Sequence, residues 1–438
     1  MADIYQVPVL QKRLHELIQV PGSKSETNRA LLLASLSDGP CLIKGAQFSD
    51  DSRHFLSCLQ SLGFSVEIRE DAKEVQIRGE SGRIPAKTGE IHVGSAGTAA
   101  RFLTAMLAFS DGTYRINCSD QMAGRPMKEL FVCLEQMGAV FTYLWEKYHL
   151  PVEVRGIFSE AMSAGKEIPD EITLDISRST QYLSALMLTA SMLKKTLTVK
   201  ISSEKKKGSY IEITRRMLSE FGVRTDYSED GAYQIFGEDT PSAAEYDVEP
   251  DVSGACYFYA AAALMGGEVT VKGVYPGLMQ GDMRFLDILK DMGCTLMETP
   301  EGIKLTGPEG GLSGVDVMMN DFSDQALTLA AIAPFASSPT TIRGIAHIRD
   351  QECDRINAIA TNLRALGADV EELEDGVRIN PAAPGQLHGA SIETFGDHRV
   401  AMSFTLPGLI IPGVAIKDPG CCRKTFENYF EIWDCILR

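Results

Sequence analysis

The 438-residue sequence lacks the features that mark several common classes of protein. It has no run of eighteen apolar residues, so we expect no membrane-spanning helix. Its ten cysteines include no Cys-x-x-Cys pair and its seven histidines no His-Glu-x-x-His pattern, so we predict no metal site. Unpaired thiols indicate a cytoplasmic protein. Residues 1–6 lack a basic region followed by an apolar run, so we also expect no secretory signal.

The chain is also poor in positive charge. It has 42 Lys and Arg against 59 Asp and Glu, a formal net charge of −17. Such a surface repels nucleic acid and anionic lipid, so we expect neither a nucleic-acid partner nor a membrane. It would repel small anionic substrates as well, unless basic residues are gathered in one place.

A mixed α/β pattern recurs along the chain. A helix-like segment ends in a bulky residue plus Gly and leads into a β-like segment, at intervals of 71 to 84 residues. Gly is the expected left-handed residue at such a helix end. The marking glycines are Gly63, Gly138, Gly222, Gly293 and Gly367.

A second helix precedes each of these glycines by about half the length of the repeat. It is rich in Ala and Leu and is therefore predicted to be buried. These helices are predicted to begin near Lys24–Ser25, Gly97–Thr98, Ser179–Thr180, Ser253–Gly254, Ser323–Asp324 and Asp397–His398. The last of these starts belongs to a sixth, incomplete copy of the pattern. Six copies predict two domains of three, residues 22–248 and a discontinuous domain of residues 1–21 plus 249–438. The sixth copy lacks its closing strand, and our hypothesis is that residues 4–14 supply it.

The loops before these helices are rich in Gly, Ser, Thr and cationic residues. Helix N-termini bind phosphate and carboxylate, and Arg adds bidentate contacts. If the loops converge, they form a positive cleft that attracts small polyanions. The cations concerned are Lys24, Arg29, Arg125, Arg355, Arg399 and Lys424. Taken singly, such an Arg is usually a surface charge, and a helix cap is an equally good interpretation of Asp324 or Glu352.

Ten short motifs follow one another along the chain. They are VPGSKSETNRALLLA from Val20, AGTA from Ala96 with Arg101, Arg125-Pro126, STQ from Ser179, YIEIT from Tyr210, QGDMR from Gln280, Asp324, ECDR from Glu352, DHRVAM from Asp397 and KTF from Lys424. In this order they resemble the motifs of the 5-enolpyruvylshikimate-3-phosphate (EPSP) synthase family. The resemblance covers essentially the whole chain. It implies a two-domain inside-out α/β barrel, each domain built of three βαββαβ-type repeats, with the active site in a cleft between domains that close on the acceptor.

The resemblance also implies a reaction and its residues. The enolpyruvyl group of phosphoenolpyruvate moves to shikimate-3-phosphate without a metal, an organic cofactor or a covalent nucleophile. The expected binding partners are these two small molecules, and the enzyme is expected to be a monomer. Catalysis is expected from Asp324, Glu352 and Lys24. Shikimate-3-phosphate is expected to contact Lys24, Ser25, Arg29, Ser179, Thr180, Gln181 and Asp324. Phosphoenolpyruvate is expected to contact Lys24, Gly97, Arg125, Gln181, Arg355, Arg399 and Lys424.

This sequence departs from the family pattern at several positions. Ser95 replaces the usual Asn and Phe102 the usual Pro, while Lys207, Gln351 and His347 replace the usual Ser, Lys and Asn. The last three positions concern acceptor binding, and Lys207 is a candidate to replace the charge lost at Gln351. These three positions leave open an enolpyruvyl transferase for another acceptor. A non-catalytic anion-binding paralogue is a second alternative, and the retention of Lys24, Asp324, Glu352 and Lys424 together argues against it. A UDP-amino-sugar enzyme is disfavoured, because residues 121–124 before Arg125 contain no Cys.

Overall fold

The computed structural model describes residues 4–159 and 167–436, and the chain divides into two compact units. The N-terminal unit comprises Gly22–Val248, and the C-terminal unit comprises Met1–Pro21 with Glu249–Arg438. Among the described residues, no helix is long and apolar enough to cross a membrane.

Each unit contains helices of two kinds, some buried and some amphipathic. The α-helices are α1 (Lys24–Leu36), α2 (Asp50–Ser61), α3 (Gly97–Ala108), α4 (Asp120–Ala123), α5 (Lys128–Gln136), α6 (Gln181–Thr189), α7 (Ser209–Glu220), α8 (Val252–Met265), α9 (Arg284–Asp291), α10 (Ala326–Ile332), α11 (Arg355–Ala365), α12 (His398–Gly408) and α13 (Tyr429–Ile436). Short 3₁₀ helices cover Ala190–Leu193, Gly281–Met283, Ser323–Gln325, Ala333–Phe335, Ala346–Asp350 and Pro419–Lys424.

The strands are short and evenly distributed along the chain. They are β1 (Ile4–Gln6), β2 (His15–Ile18), β3 (Asp38–Lys44), β4 (Ser65–Arg69), β5 (Glu74–Glu80), β6 (Thr88–His92), β7 (Thr113–Asn117), β8 (Val140–Tyr143), β9 (Val152–Arg155), β10 (Glu171–Leu174), β11 (Thr196–Ile201), β12 (Thr225–Tyr227), β13 (Ala232–Phe236), β14 (Glu245–Asp247), β15 (Glu268–Val271), β16 (Thr295–Thr299), β17 (Gly302–Thr306), β18 (Asp316–Met318), β19 (Thr340–Arg343), β20 (Val370–Glu372), β21 (Val377–Ile379), β22 (Ser391–Ile392) and β23 (Ala415–Lys417).

Among the described residues, five four-stranded sheets share one topology, and a sixth sheet has three strands. In the N-terminal unit the orders are β14-β3-β5-β4, β6-β7-β9-β8 and β10-β11-β13-β12. In the C-terminal unit they are β16-β17-β15-β2, β18-β19-β21-β20 and β1-β23-β22. Each sheet has one parallel pair, such as β6 with β7, followed by antiparallel pairing. The predicted mixed α/β class with three repeats in each half is therefore confirmed.

The N-terminal segment completes sheets of the C-terminal unit. Strand β1 pairs antiparallel with β23 of the sixth repeat, with Ile4 opposite Lys417, so the hypothesis of a closing strand is confirmed for residues 4–6. Strand β2 pairs in parallel with β15 of the fourth repeat. The hydroxyl of Tyr5 also donates to Asp434 on α13 at 2.7 Å.

Three buried helices pack together in the middle of each unit. They are α1, α3 and α6 in the N-terminal unit, and α8, α10 and α12 in the C-terminal unit. All twelve residues of α3 are buried, because its Ala- and Leu-rich sequence GTAARFLTAMLA offers apolar side chains all round the helix. The predicted starts of these helices agree with the structure within about three residues, the largest difference being at α10.

The amphipathic helices end at the predicted glycines. Gly63, Gly138, Gly222, Gly293 and Gly367 all have positive φ, between 78° and 109°. Only Gly adopts this conformation without a steric cost from Cβ, so these positions end one helix and turn the chain into the next strand.

Candidate active site

In the N-terminal unit, side-chain hydrogen bonds join the starts of the three buried helices. Nδ2 of Asn28 on α1 donates to Oγ1 of Thr98 on α3 at 2.6 Å. Nη1 of Arg101 on α3 donates to Oε1 of Gln181 on α6 at 3.0 Å. The three N-termini therefore lie together, and their free N–H groups and positive dipole ends favour anions at this end of the unit.

Lys24, the first residue of α1, forms an ion pair. Its Nζ lies 3.2 Å from Oδ2 of Asp51, in the first turn of α2. The Asp51 side chain is 2% exposed, whereas that of Lys24 is 18% exposed. Asp51 therefore holds Lys24 in place from the buried side, while the ammonium group remains accessible to a ligand.

Gly97, the first residue of α3, is held against two arginines. A Cβ at position 97 would lie 2.6 Å from Nη1 of both Arg101 and Arg125. Nη1 of Arg101 also donates to the Gly97 carbonyl at 3.1 Å, and its Nη2 donates to the carbonyl of Pro126 at 3.2 Å. Arg101 thus joins three predicted site segments, and a side chain at position 97 would displace at least one guanidinium.

Arg29 is a buried arginine whose donors meet protein acceptors. Nε donates to Oγ1 of Thr214 at 2.8 Å and Nη1 to the carbonyl of Ser25 at 2.8 Å, while Nη2 donates to Ser184 and to the Tyr210 carbonyl. Burial lowers the pKa of Arg29 to about 10.

The aromatic ring of Phe102 lies beside the same guanidinium, 5.2 Å from Cζ of Arg29 to the ring centroid. At this distance the ring face attracts the buried cation. Phe102, which stands where the family usually has Pro, therefore places an aromatic ring against Arg29, a predicted acceptor-binding residue, and stabilises its buried charge.

The remaining predicted residues of this unit lie at or near the start of α6. Ser179 and Thr180 are half-buried and precede the helix directly, and Oγ of Ser179 accepts from the backbone N–H of Gln181 at 3.3 Å. Lys207 is exposed, with Nζ 4.6 Å from the ring centroid of Tyr227.

In the C-terminal unit, Arg355 is the centre of a buried network. Nε donates to Oδ2 of Asp397 at 2.8 Å, and Nη2 donates to Oδ1 of the same carboxylate at 3.4 Å. Nη1 donates to Asp324 at 2.8 Å and to Gln351 at 2.9 Å, and Nη2 donates to Glu352 at 3.0 Å. Burial lowers the pKa of Arg355, but Asp397, Glu352 and Asp324 outweigh it and raise the pKa above its usual value.

Arg399, in the first turn of α12, links Asp324 to a second carboxylate. Its Nη2 lies 2.9 Å from Oδ2 of Asp324 and 3.5 Å from Oγ of Ser253, and Ser253 donates to Oδ2 of Asp282 at 2.6 Å. Burial and the nearby charge of Asp324 raise the pKa of Asp282 to about 6.

Lys424 completes the network at Glu352. It ends the 3₁₀ helix Pro419–Lys424, and its Nζ lies 3.4 Å from Oε1 of Glu352. Both side chains are 8% exposed. The structure thus brings Asp324, Glu352, Arg355, Arg399 and Lys424, which the sequence predicted as separate loop residues, into one network.

Two of the departures lie next to this network. Nε2 of His347 and Oγ of Ser323 are 2.9 Å apart, so His347 contacts the residue that precedes Asp324. Gln351 accepts a hydrogen bond from Arg355 directly.

Sequence reasoning assigned no role to Asp397 or Asp282. Asp397 is fully buried, caps α12 by accepting from the backbone N–H of Arg399 at 2.8 Å, and anchors Arg355. Both residues stand in quoted motifs, DHRVAM and QGDMR. A carboxylate directly before a predicted helix start was the available signal for Asp397, since Asp is a preferred N-cap residue.

The chemistry that these groups permit is anion binding combined with proton transfer. Two partly accessible carboxylates, Asp324 and Glu352, lie between cations that fix their positions. Such carboxylates act as general acids and bases when a substrate reaches them. Among the described residues, no group of three or more His, Cys, Asp or Glu side chains is placed to hold a metal ion.

Comparison with known proteins identifies relatives over nearly the full length. The chain matches the family model of EPSP synthase (3-phosphoshikimate 1-carboxyvinyltransferase) over residues 10–433. It is 41% identical over 428 residues to the 3-phosphoshikimate 1-carboxyvinyltransferase of Nostoc punctiforme, covering 98% of both chains. It is 39% identical to that of Marinomonas sp., covering 96% of both.

Solved structures of two other proteins are similar to this chain over nearly its full length. The EPSP synthase from Acinetobacter baumannii is similar with a TM-score of 0.80 and 25% identity, over 99% of this chain and 98% of that one. The enolpyruvyl transferase NikO from Streptomyces tendae shares the fold, with a TM-score of 0.72 and 14% identity over 99% and 97% of the two chains.

Proposed function

Because the chain belongs to the EPSP synthase (3-phosphoshikimate 1-carboxyvinyltransferase) family, we propose that the two networks described above carry out that family's reaction. The protein transfers the enolpyruvyl group of phosphoenolpyruvate to the 5-hydroxyl of shikimate-3-phosphate and releases phosphate. This is a step of the shikimate pathway to chorismate and the aromatic amino acids. The observation that carries this conclusion is 41% identity over 98% of both chains.

Cationic groups bind phosphoenolpyruvate in this proposal. Lys24, Arg125, Arg355, Arg399 and Lys424 neutralise its phosphate and carboxylate, with the Gly97 backbone and Gln181 as additional contacts. The adjoining N-termini of α1, α3 and α6 support this role, because their free N–H groups and positive dipole ends favour anions. Bidentate arginines suit both anionic groups.

Hydroxyl, amide and charged side chains bind shikimate-3-phosphate in this proposal. Ser25, Ser179, Thr180 and Gln181 lie at the starts of α1 and α6, where free backbone N–H groups favour the acceptor's anionic groups. Lys24, Arg29 and Asp324 are the charged contacts in this assignment.

Two proton transfers drive the reaction. Asp324 accepts the proton of the 5-hydroxyl as that oxygen bonds to C2 of phosphoenolpyruvate, and Glu352 delivers a proton to C3. The resulting tetrahedral adduct then loses phosphate from C2, which carries away the proton held by Asp324, while Glu352 takes a proton back from the C3 methyl group and the enol ether of the product forms. Lys24 assists, and the cations stabilise charge on the departing phosphate. The close contacts of Asp324 and Glu352 with Arg355 support this assignment, because they fix both carboxylates before substrate arrives.

Phosphate release in the presence of a panel of acceptors tests the function. We expect release from phosphoenolpyruvate only when shikimate-3-phosphate is added, with a product that is heavier than the acceptor by one enolpyruvyl group. Release with a different acceptor alone would support a transferase of other specificity. Binding of both ligands without turnover would support the non-catalytic paralogue.

We further propose that the two units are the protein's domains and that it acts as a cytoplasmic monomer. One chain supplies every residue assigned above. All ten cysteines are free thiols, which suits a reducing compartment. Light scattering after gel filtration is expected to give the 47.8 kDa mass of one chain, and twice that mass would contradict the monomer.

A further inference from the structure

The guanidinium of Arg355 has a protein acceptor for each of its donors. A guanidinium carries five N–H groups. Five hydrogen bonds leave Arg355: two to Asp397 and one each to Asp324, Glu352 and Gln351. An incoming anion can bind Arg355 only by taking the place of one of these acceptors.

Three of these acceptors are carboxylates that have a second cationic or backbone partner. Asp397 is fully buried and also accepts from the backbone N–H of Arg399. Asp324 also contacts Arg399, and Glu352 also contacts Lys424. Displacing any of these carboxylates from Arg355 leaves a charge without that partner inside a buried network, which costs free energy.

Gln351 is the acceptor that exchanges most readily. It is uncharged and only half-buried, and its Oε1 receives one Nη1 hydrogen at 2.9 Å. A neutral acceptor binds a guanidinium less strongly than a carboxylate does, because it lacks the attraction between opposite charges. When the Gln351 amide leaves Arg355, no carboxylate loses its cationic partner.

We propose that Gln351 is an internal competitor for Arg355, and that the carboxylate of phosphoenolpyruvate takes its place on Nη1. This inference rests on the proposed function, since it assumes that Arg355 contacts phosphoenolpyruvate. Gln351 is a positioning residue, because it acts on the ligand only through Arg355. It weakens the affinity for phosphoenolpyruvate, and its removal strengthens that affinity.

A purely structural role for Gln351 has the opposite consequence. If its hydrogen bond were needed to orient Arg355, its loss would weaken anion binding. The orientation is already fixed by Asp397, which accepts from both Nε and Nη2 of Arg355. Two parallel bonds to one planar carboxylate define the plane of the guanidinium without Gln351.

The test compares Gln351→Ala and Gln351→Glu with the wild type. We expect Gln351→Ala to lower KM for phosphoenolpyruvate about 2-fold to 10-fold, the range of one hydrogen bond. We expect Gln351→Glu, which strengthens the competing acceptor, to raise it at least as much. KM for phosphoenolpyruvate is expected to change more than either KM for shikimate-3-phosphate or kcat does. Gln11→Ala, which removes an exposed glutamine amide distant in sequence from Gln351, is the control.

Calorimetric titration with phosphoenolpyruvate separates this inference from the proposed acceptor. Tighter binding by Gln351→Ala supports the inference even if shikimate-3-phosphate gives no turnover, in which case only the proposed function fails. An unchanged or higher KM and dissociation constant in Gln351→Ala would overturn it. A change in KM for shikimate-3-phosphate alone would overturn it too, because Gln351 would then contact the acceptor. Absence of phosphoenolpyruvate binding in every variant, both alone and in the presence of shikimate-3-phosphate, would overturn both proposals.

Discussion

Nη1 of Arg355 donates a 2.8 Å hydrogen bond to Oδ1 of Asp324, across 31 residues of sequence. The Arg355 side chain is 1% exposed and that of Asp324 is 15% exposed. The cation is therefore held inside the C-terminal unit, and the carboxylate reaches toward solvent. This arrangement keeps a candidate proton acceptor fixed and accessible to substrate.

Substitution of Gly97 by Ala is expected to weaken phosphoenolpyruvate binding. The added methyl group would lie 2.6 Å from Nη1 of both Arg101 and Arg125, so at least one guanidinium must move. We expect KM for phosphoenolpyruvate to rise about 10-fold or more, the effect of about 1.4 kcal/mol. Gly310→Ala is the matched control, because no atom lies within 4 Å of the methyl group that it adds. Equal kinetics of the two variants would show that the contact at Gly97 is unimportant.

Replacement of Asp282 by Asn is expected to stabilise the protein at neutral pH. Its folded-state pKa of about 6 lies above the ordinary 3.8. The protonated form therefore adds stability that is fully present below about pH 3.8 and is lost as pH rises through 6. Asn resembles the protonated form, so we expect Tm to rise by about 2–5 °C at pH 7.5.

The pH dependence of Tm distinguishes this cause from a general effect on packing. The difference between Asp282→Asn and the wild type should shrink as pH falls from 6 toward 4. Asp291→Asn, at an exposed position on the neighbouring helix, should match the wild type at every pH. A difference in Tm that is constant with pH would contradict the assignment of a raised pKa to Asp282.

Removal of residues 2–15 is expected to destabilise the C-terminal unit. The deletion takes away β1, which pairs with β23, and the contacts of Tyr5 with Asp434 and Phe430. It also removes the first residue of β2. We expect Tm to fall by about 5 °C or more, corresponding to a loss of roughly 2 kcal/mol. An unchanged Tm would mean that this segment does not close the sixth repeat.

Local patterns made much of the fold predictable from the sequence. The helix ends at Gly63 and Gly367 and the burial of α3 follow from residues within one helix and its cap. The pairing of β1 with β23 was predictable because the sixth repeat lacks a strand that the other five have. Such regularities need no knowledge of tertiary contacts.

The partners of each charged side chain were not predictable in this way. The sequence shows Arg355, Asp324 and Asp397 in three separate motifs, and only the packing of α10, α11 and α12 brings them together. The ring of Phe102 beside Arg29, and the amide of Gln351 on Arg355, likewise depend on distances that the sequence does not contain. For this reason a resemblance in motifs predicted which residues matter better than it predicted what each one contacts.

The most direct test of the account measures phosphate release from phosphoenolpyruvate by the wild type, Asp324→Asn, Glu352→Gln and the exposed control Asp291→Asn. Both carboxamides keep an oxygen that can accept from Arg355 but lose the ability to transfer a proton. We predict release that depends on shikimate-3-phosphate in the wild type and control, with kcat lowered about 100-fold to 10,000-fold in the other two variants. Wild-type kcat in either Asp324→Asn or Glu352→Gln, or release that does not depend on the acceptor, would contradict the account.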